Sequence, residues 1–339
     1  MPSSPVRNFA APTVDVVGIG NALVDVISHE THAFVAAQGI SPGSMTLIEE
    51  DRSRELYAAM GPGIEMSGGS AANTMVGVAS FGGTATYLGR VRDDQLGTVF
   101  VHDIRSVGVE FPNAMAADGP ATGSCLILVT PDAQRTMNTC LGASALFTSE
   151  DVLAETVQSG RIVYLEGYLF DRTEAQEAFR SAAQFAHDAG RTVALTLSDS
   201  FCVDRHRNAF LGLLEHHVDL VFANEAEIKA LYEVEDFDTA MAMVRRHCPM
   251  AVLTRSEHGS VVVTPHDIVT VAAEPIEELV DTTGAGDLYA AGFLFGLAHG
   301  HDVATCARLG SIAAAEVIGH VGARPSVDLA ALAAEVLAG

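Results

Sequence analysis

The chain has 339 residues, 48% of them hydrophobic, and a formal net charge of −24, so it can bury a full core but is too acidic to bind nucleic acid through phosphate contacts. Its only lysine is Lys229, which excludes the lysine-containing phosphate loop of a large class of ATP-binding proteins. No uninterrupted apolar segment reaches the roughly 20 residues that a membrane span needs.

The N-terminal segment, residues 1–13, has one arginine and no apolar run, which predicts a loose tail and not a secretory signal. The five cysteines are scattered, odd in number and without a C-x-x-C pair. They therefore favour a reducing cytoplasm over a disulfide framework.

The first predicted strand, Val14 to Ile19, ends at Gly18-Ile19-Gly20-Asn21. A pair of glycines at a strand end also occurs in dinucleotide-binding folds, but Leu23 stands where the third glycine of that motif belongs, so NAD binding is weakly supported. Asp25 follows. Its carboxylate is either solvated or placed to accept both hydrogens of a vicinal diol.

A second glycine-rich stretch, Ser67-Gly68-Gly69-Ser70, opens a predicted helix with an apolar face. Adjacent glycines let the backbone approach a ligand closely, and Asn73, one turn into the helix, reaches the same ligand. A plain N-cap at Ser70 is the alternative, and both interpretations can hold.

The region from 109 to 146 interrupts the alternation of strands and helices. Gly123 to Thr130 and Arg135 to Leu141 alternate in polarity around Pro131-Asp132, which predicts a hairpin. Together with residues 22–28 and 44–48, this hairpin is predicted to form a small sheet separate from the main one.

From Arg161 onward, short apolar strands alternate regularly with helices. The predicted strands are 161–166, 192–197 and 219–223, and the helices between them are 173–189 and 204–215. Helical crossovers between apolar strands predict a parallel sheet covered on both faces. Ligands bind such sheets beyond the carboxyl ends of the strands, where the polar motifs lie.

One of these motifs is Asn224-Glu225-Ala226-Glu227, directly after the third of these strands. A carboxylate and an amide suit Mg²⁺ that is held partly through water. An acidic first helical turn, stabilised by the helix dipole, is the alternative.

The stretch Asp281-Thr282-Thr283-Gly284-Ala285-Gly286-Asp287 leads into an apolar helical run. The amides of Gly284, Ala285 and Gly286 have no intrahelical partners, so they offer donors to an anion at the positive end of the helix dipole. Asp287 beside them suits the task of accepting a proton from an alcohol that attacks a phosphate. A tight turn with a capping aspartate is the alternative. The stretch predicts kinase chemistry.

These glycine-rich stretches resemble the signatures of the PfkB/ribokinase family of small-molecule kinases. Ser67 to Thr74 is similar to the first signature and Asp281 to Asp287 to the second, and the resemblance extends from Gly18 to about Gly322. It implies an α/β, ribokinase-like fold with a mostly parallel central sheet, helices on both faces and a small β-sheet lid. The expected kinase domain is 14–339, with lid segments near 22–48 and 109–146.

The resemblance also implies roles for individual residues. Asp287 is the expected general base, and the expected anion hole consists of Gly284, Ala285 and Gly286, with Arg135 on the lid neutralising the transferring phosphate unless it is a surface arginine. The residues expected to hold the substrate hydroxyls are Asn21, Asp25, Gly68, Gly69 and Asn73. Those expected at the ATP are Asn224, Thr254, Gly259, Ala313 and Ala314. Glu227 is expected to act indirectly on Mg²⁺.

Three segments are similar to the adenosine kinase branch of the family, namely residues 20–25, 122–125 and 197–201. The chain lacks tryptophan, so Phe170 and Phe201 are the candidate contacts for a base. The expected function is ATP-dependent phosphorylation of a nucleoside 5′-hydroxyl, adenosine first, in cytoplasmic purine salvage. The expected cofactors are ATP and Mg²⁺, with K⁺ near Asp281 and Thr283 by family analogy.

The sequence is also compatible with two alternatives. One is a sugar kinase of the ribokinase or fructokinase type, which uses the same residues on a primary hydroxyl. The other is a non-catalytic ligand sensor on the same fold. The expected partner is a small-molecule nucleoside or sugar, without nucleic acid or membrane, and the protein is expected to be a monomer or homodimer.

Overall fold

The computed structural model describes residues 10–132 and 134–338. Most of the predicted N-terminal tail, residues 1–9, lies outside this range. Within it, Arg191 Nη2 donates to the carbonyl of Ala10 at 2.5 Å, and the amide of Thr13 donates to the carbonyl of Ser159 at 2.9 Å. The chain is therefore attached to the main body from Ala10 onward.

The secondary structure alternates through most of the chain. In chain order the strands are β1 (Val14–Ile19), β2 (Leu23–His29), β3 (Met45–Leu47), β4 (Gly63–Gly68), β5 (Ala85–Leu88), β6 (Val109–Glu110), β7 (Gly123–Val129), β8 (Arg135–Cys140), β9 (Gly160–Glu166), β10 (Thr192–Thr196), β11 (Leu220–Asn224), β12 (Met250–Thr254), β13 (Ser260–Val263) and β14 (Ile268–Val271). The α-helices are α1 (His32–Ala37), α2 (Glu50–Ala59), α3 (Ser70–Ser80), α4 (Gln95–Ser106), α5 (Ala154–Ser159), α6 (Thr173–Asp188), α7 (Ser200–His216), α8 (Glu225–Tyr232), α9 (Phe237–His247), α10 (Ala285–Ala298), α11 (Val303–Val317) and α12 (Leu329–Leu337).

The larger sheet, as far as the described residues go, has the strand order β14-β13-β12-β11-β10-β9-β1-β5-β6. All neighbours from β12 to β6 pair in parallel, whereas β13 and β14 form an antiparallel hairpin at one edge. The predicted α/β architecture with a mostly parallel sheet is confirmed.

Helices cover both faces of this sheet because its strands are apolar on both sides. In β1, Val16 faces a core shared with α3, α4, α10 and α11, while Val17 faces a second core shared with α5 to α9. Both side chains are fully buried. Such strands are typical of parallel sheets buried between two helical layers.

Aspartates begin many of the helices. The side chains of Asp94, Asp199, Asp236, Asp302 and Asp328 each accept a hydrogen bond from an amide in the first turn of the helix that follows. Such a cap contributes about 0.5–2 kcal/mol, and the negative charge also suits the helix dipole. Part of the acidic composition is therefore used in helix capping.

The smaller sheet has the order β3-β8-β7-β2-β4 in the described part of the chain. The predicted hairpin is β7 and β8, and β2 and β3 join it as expected, but β4 was not predicted. Its residues, Gly63 to Gly68, include two glycines and an exposed isoleucine, a pattern that does not indicate a strand. By contrast β6, which lies in the predicted lid region, pairs with β5 in the larger sheet.

Two helix starts also differ from the prediction. The helix predicted to open at Ser67 begins at Ser70, because β4 continues to Gly68 and Gly69 turns the chain with a φ of 101°. The helix α7 begins at Ser200 instead of Asp204, and a kink at His206 interrupts it. The early start follows from the capping side chain of Asp199, which the prediction did not use.

Candidate active site

A cleft of about 1290 Å³ lies at the carboxyl ends of the parallel strands. Asn21 follows β1, Glu166 ends β9, Thr196 ends β10 and Asn224 ends β11, and all four line the cleft. The smaller sheet lines it from another side. The polar motifs found in the sequence therefore come together at one edge of the larger sheet, as parallel topology predicts.

The N-terminus of α10 opens into this cleft. Gly284 is its N-cap with a φ of 81°, and a Cβ at this position would lie 2.7 Å from Cα of Ala323. The amide of Ala285 donates to the carbonyl of Thr282 at 3.2 Å, so this residue is less available to an anion than expected. The amides of Gly284, Gly286 and Asp287 donate to none of the described residues. They provide the free donors of the turn.

Asp287 lies in the cleft beside these amides. Ser70 Oγ donates to its Oδ1 at 2.6 Å, and Asn73 Nδ2 makes a longer contact of 3.3 Å with Oδ2. Burial raises the pKa of Asp287 to about 6, although both hydrogen bonds oppose the rise. Ser70 therefore orients this carboxylate and does not cap its own helix, where no side-chain cap is present.

Asp25 is the second carboxylate of the cleft. No hydrogen bond reaches it from the described residues, which leaves its oxygens open to a ligand. Burial raises the pKa of Asp25 to about 6, and the guanidinium groups of Arg324 and Arg135 limit the rise. Gly68 does not line the cleft, but a Cβ there would lie 2.4 Å from the carboxylate of Asp25. Gly68 therefore leaves space for the side chain of Asp25 and is not placed to contact the substrate itself, as was expected.

Asn21, Gly69 and Asn73 line the cleft close to Asp25. A Cβ on Gly69 would lie 2.2 Å from the carbonyl oxygen of Asn21, so only glycine fits. Oδ1 of Asn73 is buried and has no hydrogen-bond partner among the described residues. Buried polar atoms are rarely left unpaired, and this oxygen is available to a ligand hydroxyl.

Glu166 is a site residue that the sequence analysis did not identify. It is 1% exposed, and it accepts hydrogen bonds from the amide and side chain of Asn21 at 3.2 and 3.0 Å and from the amide of Ala71 at 2.8 Å. Burial raises its pKa to about 7 despite these donors. The available signal was an acidic residue that ends an apolar strand at the carboxyl edge of the sheet.

The inner face of the smaller sheet is mostly apolar. Its apolar side chains over the cleft include Ile27, Met45, Leu47, Cys125, Ile127 and Met137. Asp25 on β2 and Arg135 at the start of β8 are its charged side chains in the cleft, and Nη1 of Arg135 forms an ion pair with Asp281 Oδ2. Burial disfavours the ionised form of Asp281, but hydrogen bonds from Thr283 and Gly322 and the charge of Arg135 hold its pKa below the usual range.

The other end of the cleft is lined by Asn224, Glu227, Thr254, Gly259 and Ala314. The expected contact of Ala313 is not made, because this side chain is fully buried among apolar residues. Neighbouring positions on a helix differ by about 100° in direction, so only one of two adjacent alanines faces the cleft.

The residues near Glu227 fit Mg²⁺ only indirectly. Both oxygens of Glu227 accept hydrogen bonds from Asn224, in a capping box that begins α8. Burial raises the pKa of Glu227 to about 7. The described residues contain no group of three or more side chains that could ligate a metal ion directly. This arrangement fits an ion held chiefly by phosphate oxygens and water, the usual environment of Mg²⁺ at nucleotides.

The aromatic contacts differ from those expected. Phe170 is fully buried and stacks on Phe210 with ring centroids 4.5 Å apart, so it belongs to the core and does not contact the cleft. Tyr168, two residues earlier, lines the cleft instead. Phe201 also lines it and is 73% exposed at its mouth. Tyr168 and Phe170 both lie in a short 3₁₀ turn after β9, and this turn determines which of the two side chains points into the cleft. The start of the turn was not evident from the sequence.

The sequence profile described as "pfkB family carbohydrate kinase" matches residues 57–330. The chain belongs to this family. It is a kinase that transfers a phosphoryl group to an alcohol acceptor and lies in the adenosine kinase-like branch. Across residues 10–132 and 134–338, no helix combines the length and apolar character required to cross a bilayer.

The kinase is 26% identical to the adenosine kinase of Saccharomyces cerevisiae over 332 residues, covering 91% of this chain and 96% of that protein. A solved adenosine kinase structure from Sinorhizobium meliloti is 51% identical, with a TM-score of 0.87, and covers 95% of this chain and 99% of that one. A probable sugar kinase from Rhizobium etli CFN 42 is 44% identical, with a TM-score of 0.88 and coverages of 95% and 98%. The ribokinase-like fold is confirmed.

Proposed function

We propose that this kinase phosphorylates the 5′-hydroxyl of a nucleoside with ATP, and that adenosine is its preferred acceptor. The observation that carries the proposal is the position of Asp287. It lies where the acceptor end of the cleft, at Asp25 and Asn73, meets the free amides of Gly284 and Gly286. A base at this junction is within reach of an alcohol on one side and a phosphate on the other.

The acceptor end combines two kinds of surface. The open carboxylate of Asp25 and the unpaired Oδ1 of Asn73 are acceptors for the hydroxyls of a ribose. The apolar inner face of the smaller sheet is suited to a flat base, and Tyr168 and Phe201 add aromatic surface. A free sugar has no apolar group that would use this face, which supports a nucleoside acceptor.

In the proposed reaction Asp287 accepts the hydroxyl proton as the phosphoryl group is transferred, and a positioned base contributes about 10²–10⁴-fold to the rate. The amides of Gly284, Gly286 and Asp287 stabilise the transferring charge. Arg135 contributes only indirectly, because its guanidinium is paired with Asp281. Asn224 and Glu227 would hold Mg²⁺ through water. When bound, this ion would neutralise charge on the ATP phosphates.

A sugar kinase is the second candidate. The name of the Rhizobium etli relative favours it, as does the polar pair Asp25 and Glu166 at the acceptor end. A panel of adenosine, inosine, ribose and fructose, each with ATP and Mg²⁺ and assayed by ADP release, separates the candidates. We expect adenosine to have the highest kcat/KM. Turnover of ribose or fructose above that of both nucleosides would reject the nucleoside proposal.

A further inference from the structure

Arg135 connects the smaller sheet to the turn that leads into the anion hole. It is the first residue of β8, and its Nη1 forms an ion pair with Oδ2 of Asp281, three residues before Gly284. The side chains of the pair are only 7% and 10% exposed. This contact joins residues 146 positions apart in the sequence.

Both oxygens of the Asp281 carboxylate accept hydrogen bonds from two donors each. Oδ1 accepts from the amide of Thr283 at 3.0 Å and from its hydroxyl at 2.7 Å. Oδ2 accepts from the amide of Gly322 at 3.1 Å and from Arg135. A carboxylate has about four lone-pair positions, so these four donors saturate it.

This saturation conflicts with the expected K⁺ near Asp281 and Thr283. An alkali-metal ion binds oxygen lone pairs, and the Asp281 carboxylate has none left to offer it in this arrangement. The guanidinium carries the same single positive charge as K⁺, and unlike the imidazole of His it stays protonated at any physiological pH. The residues therefore do not fit a K⁺ ion and Arg135 together.

We propose that Arg135 takes the place of a monovalent cation at Asp281, as a tethered charge that the smaller sheet supplies. Its task is to neutralise Asp281 and to fix the turn from Asp281 to Thr283. Gly322, which donates to the same carboxylate, precedes Ala323, and Ala323 packs against the N-cap Gly284. The pair thus fixes both segments that shape the anion hole.

Two consequences follow from this proposal. The native kinase should work equally well in K⁺ and in other monovalent salts. Removal of the guanidinium should open the oxygen of Asp281 and create a dependence on K⁺ that the native chain lacks. An ion pair with a purely structural role would not create that dependence.

The test compares wild type, Arg135→Met and Arg90→Met in KCl, NaCl and tetramethylammonium chloride at equal ionic strength. Arg90 is a matched control because it pairs with Asp151 at 3.0 Å outside the cleft. One readout is kcat with ATP and the best acceptor. The other is the melting temperature without any substrate, since an ion that binds only the folded state raises it.

We expect the wild type and Arg90→Met to differ by less than about twofold in rate between the salts, with equal melting temperatures. Arg135→Met should be less active than the wild type in every salt, but its kcat should be roughly fivefold or more higher in KCl than in the other two salts. Its melting temperature should be about 2 °C or more higher in KCl than in NaCl. Arg135→Lys keeps the charge and should remain insensitive to K⁺.

Activation of the wild type by K⁺ above about fivefold would overturn the inference. This measurement uses only the wild-type protein, so it does not depend on whether a variant folds. An Arg135→Met protein that responds to K⁺ in neither readout would overturn it as well. The activity measurement rests on the proposed function, because it needs the correct acceptor. The melting temperature is measured without an acceptor, so it tests the cation assignment even if the proposed acceptor is wrong.

Discussion

Ser70 Oγ donates a hydrogen bond to Asp287 Oδ1 at 2.6 Å, although 217 positions separate the two residues in the sequence. Each stands in the first turn of a helix whose N-cap is a glycine, Gly69 for α3 and Gly284 for α10. The two glycine-rich motifs therefore meet at one carboxylate. This contact sets the direction of the proposed base.

Asp287→Asn should lower kcat by about 10²–10⁴-fold, because asparagine cannot accept the hydroxyl proton. KM for both substrates should change little, since the amide keeps the size of the carboxylate and its hydrogen bond from Ser70. Steady-state kinetics with ATP and adenosine test this. A kcat within threefold of the wild type would remove Asp287 from the role of base.

The rate should fall in acid, because burial raises the pKa of Asp287 to about 6 and the protonated form cannot act as a base. We expect kcat/KM to be constant above about pH 7 and to fall below pH 6. The pKa of Asp25 is also about 6, so the two interacting carboxylates should make the fall steeper than one proton. Asp25→Asn should reduce the slope. A profile that is flat down to pH 5 would contradict the assignment.

Two glycines of the same turn should respond differently to alanine. Gly284→Ala should destabilise the fold by about 2 kcal/mol or more, because its φ is 81° and the new Cβ would meet Ala323 at 2.7 Å. Gly286→Ala meets no atom within 4 Å and lies in a helix, so it should keep or raise stability while its methyl group obstructs the phosphate site.

Urea unfolding and the KM for ATP distinguish the two variants. Gly286→Ala should raise this KM about tenfold or more with no loss of stability. Equal stability of the two proteins would mean that Gly284 is not under the constraint that its backbone indicates.

The apolar face of the smaller sheet should determine acceptor affinity. Met137→Gln places a polar group on this face at nearly constant volume, and the loss of about 1–2 kcal/mol should raise the KM for adenosine roughly 5- to 20-fold. Ile64→Gln is the matched control, because Ile64 lies on β4 of the same sheet, 64% exposed and outside the cleft. A similar change in both variants would argue against contact between the base and this face.

The stability of the fold should respond to pH through Asp287 with a defined sign. Its pKa rises from 3.8 in the unfolded chain to about 6 in the fold, so the neutral form stabilises the protein fully below pH 3.8 and this contribution is lost as the pH rises through about 6. Asp287→Asn should therefore gain about 2 kcal/mol over the wild type at pH 7.5 but much less at pH 4.5. Urea unfolding at both pH values measures the difference. A constant difference would show that the native pKa is not raised.

Much of the fold followed from local patterns. The strand from Gly160 to Glu166 and the helix from Thr173 to Asp188 were predicted within one residue of their ends, because buried parallel strands are continuously apolar and their helices are amphipathic. Strand β4 was missed since its stability comes from pairing with β2 and not from its own residues. Tertiary pairing overrides weak local preference in such strands.

The site was predictable where glycine and charge occur together along the chain, as from Asp281 to Asp287. It was not predictable where residues that are distant in the sequence come into contact in the fold. Glu166 supports Asn21 across 145 positions, and no local pattern indicates that pairing. The contrast between Phe170 and Tyr168 depends on the direction of a single 3₁₀ turn, which the identity of the side chains does not determine.

Gly69 has one further consequence. The strand β4 of the smaller sheet ends at Gly68 and α3 begins at Ser70, so a single residue with a φ of 101° joins this sheet to the helix that carries Ser70 and Asn73. If the smaller sheet moved about this residue when the acceptor enters, the two groups that hold the proposed base would move with it. A substitution at position 69 should therefore affect acceptor binding and the rate of transfer together.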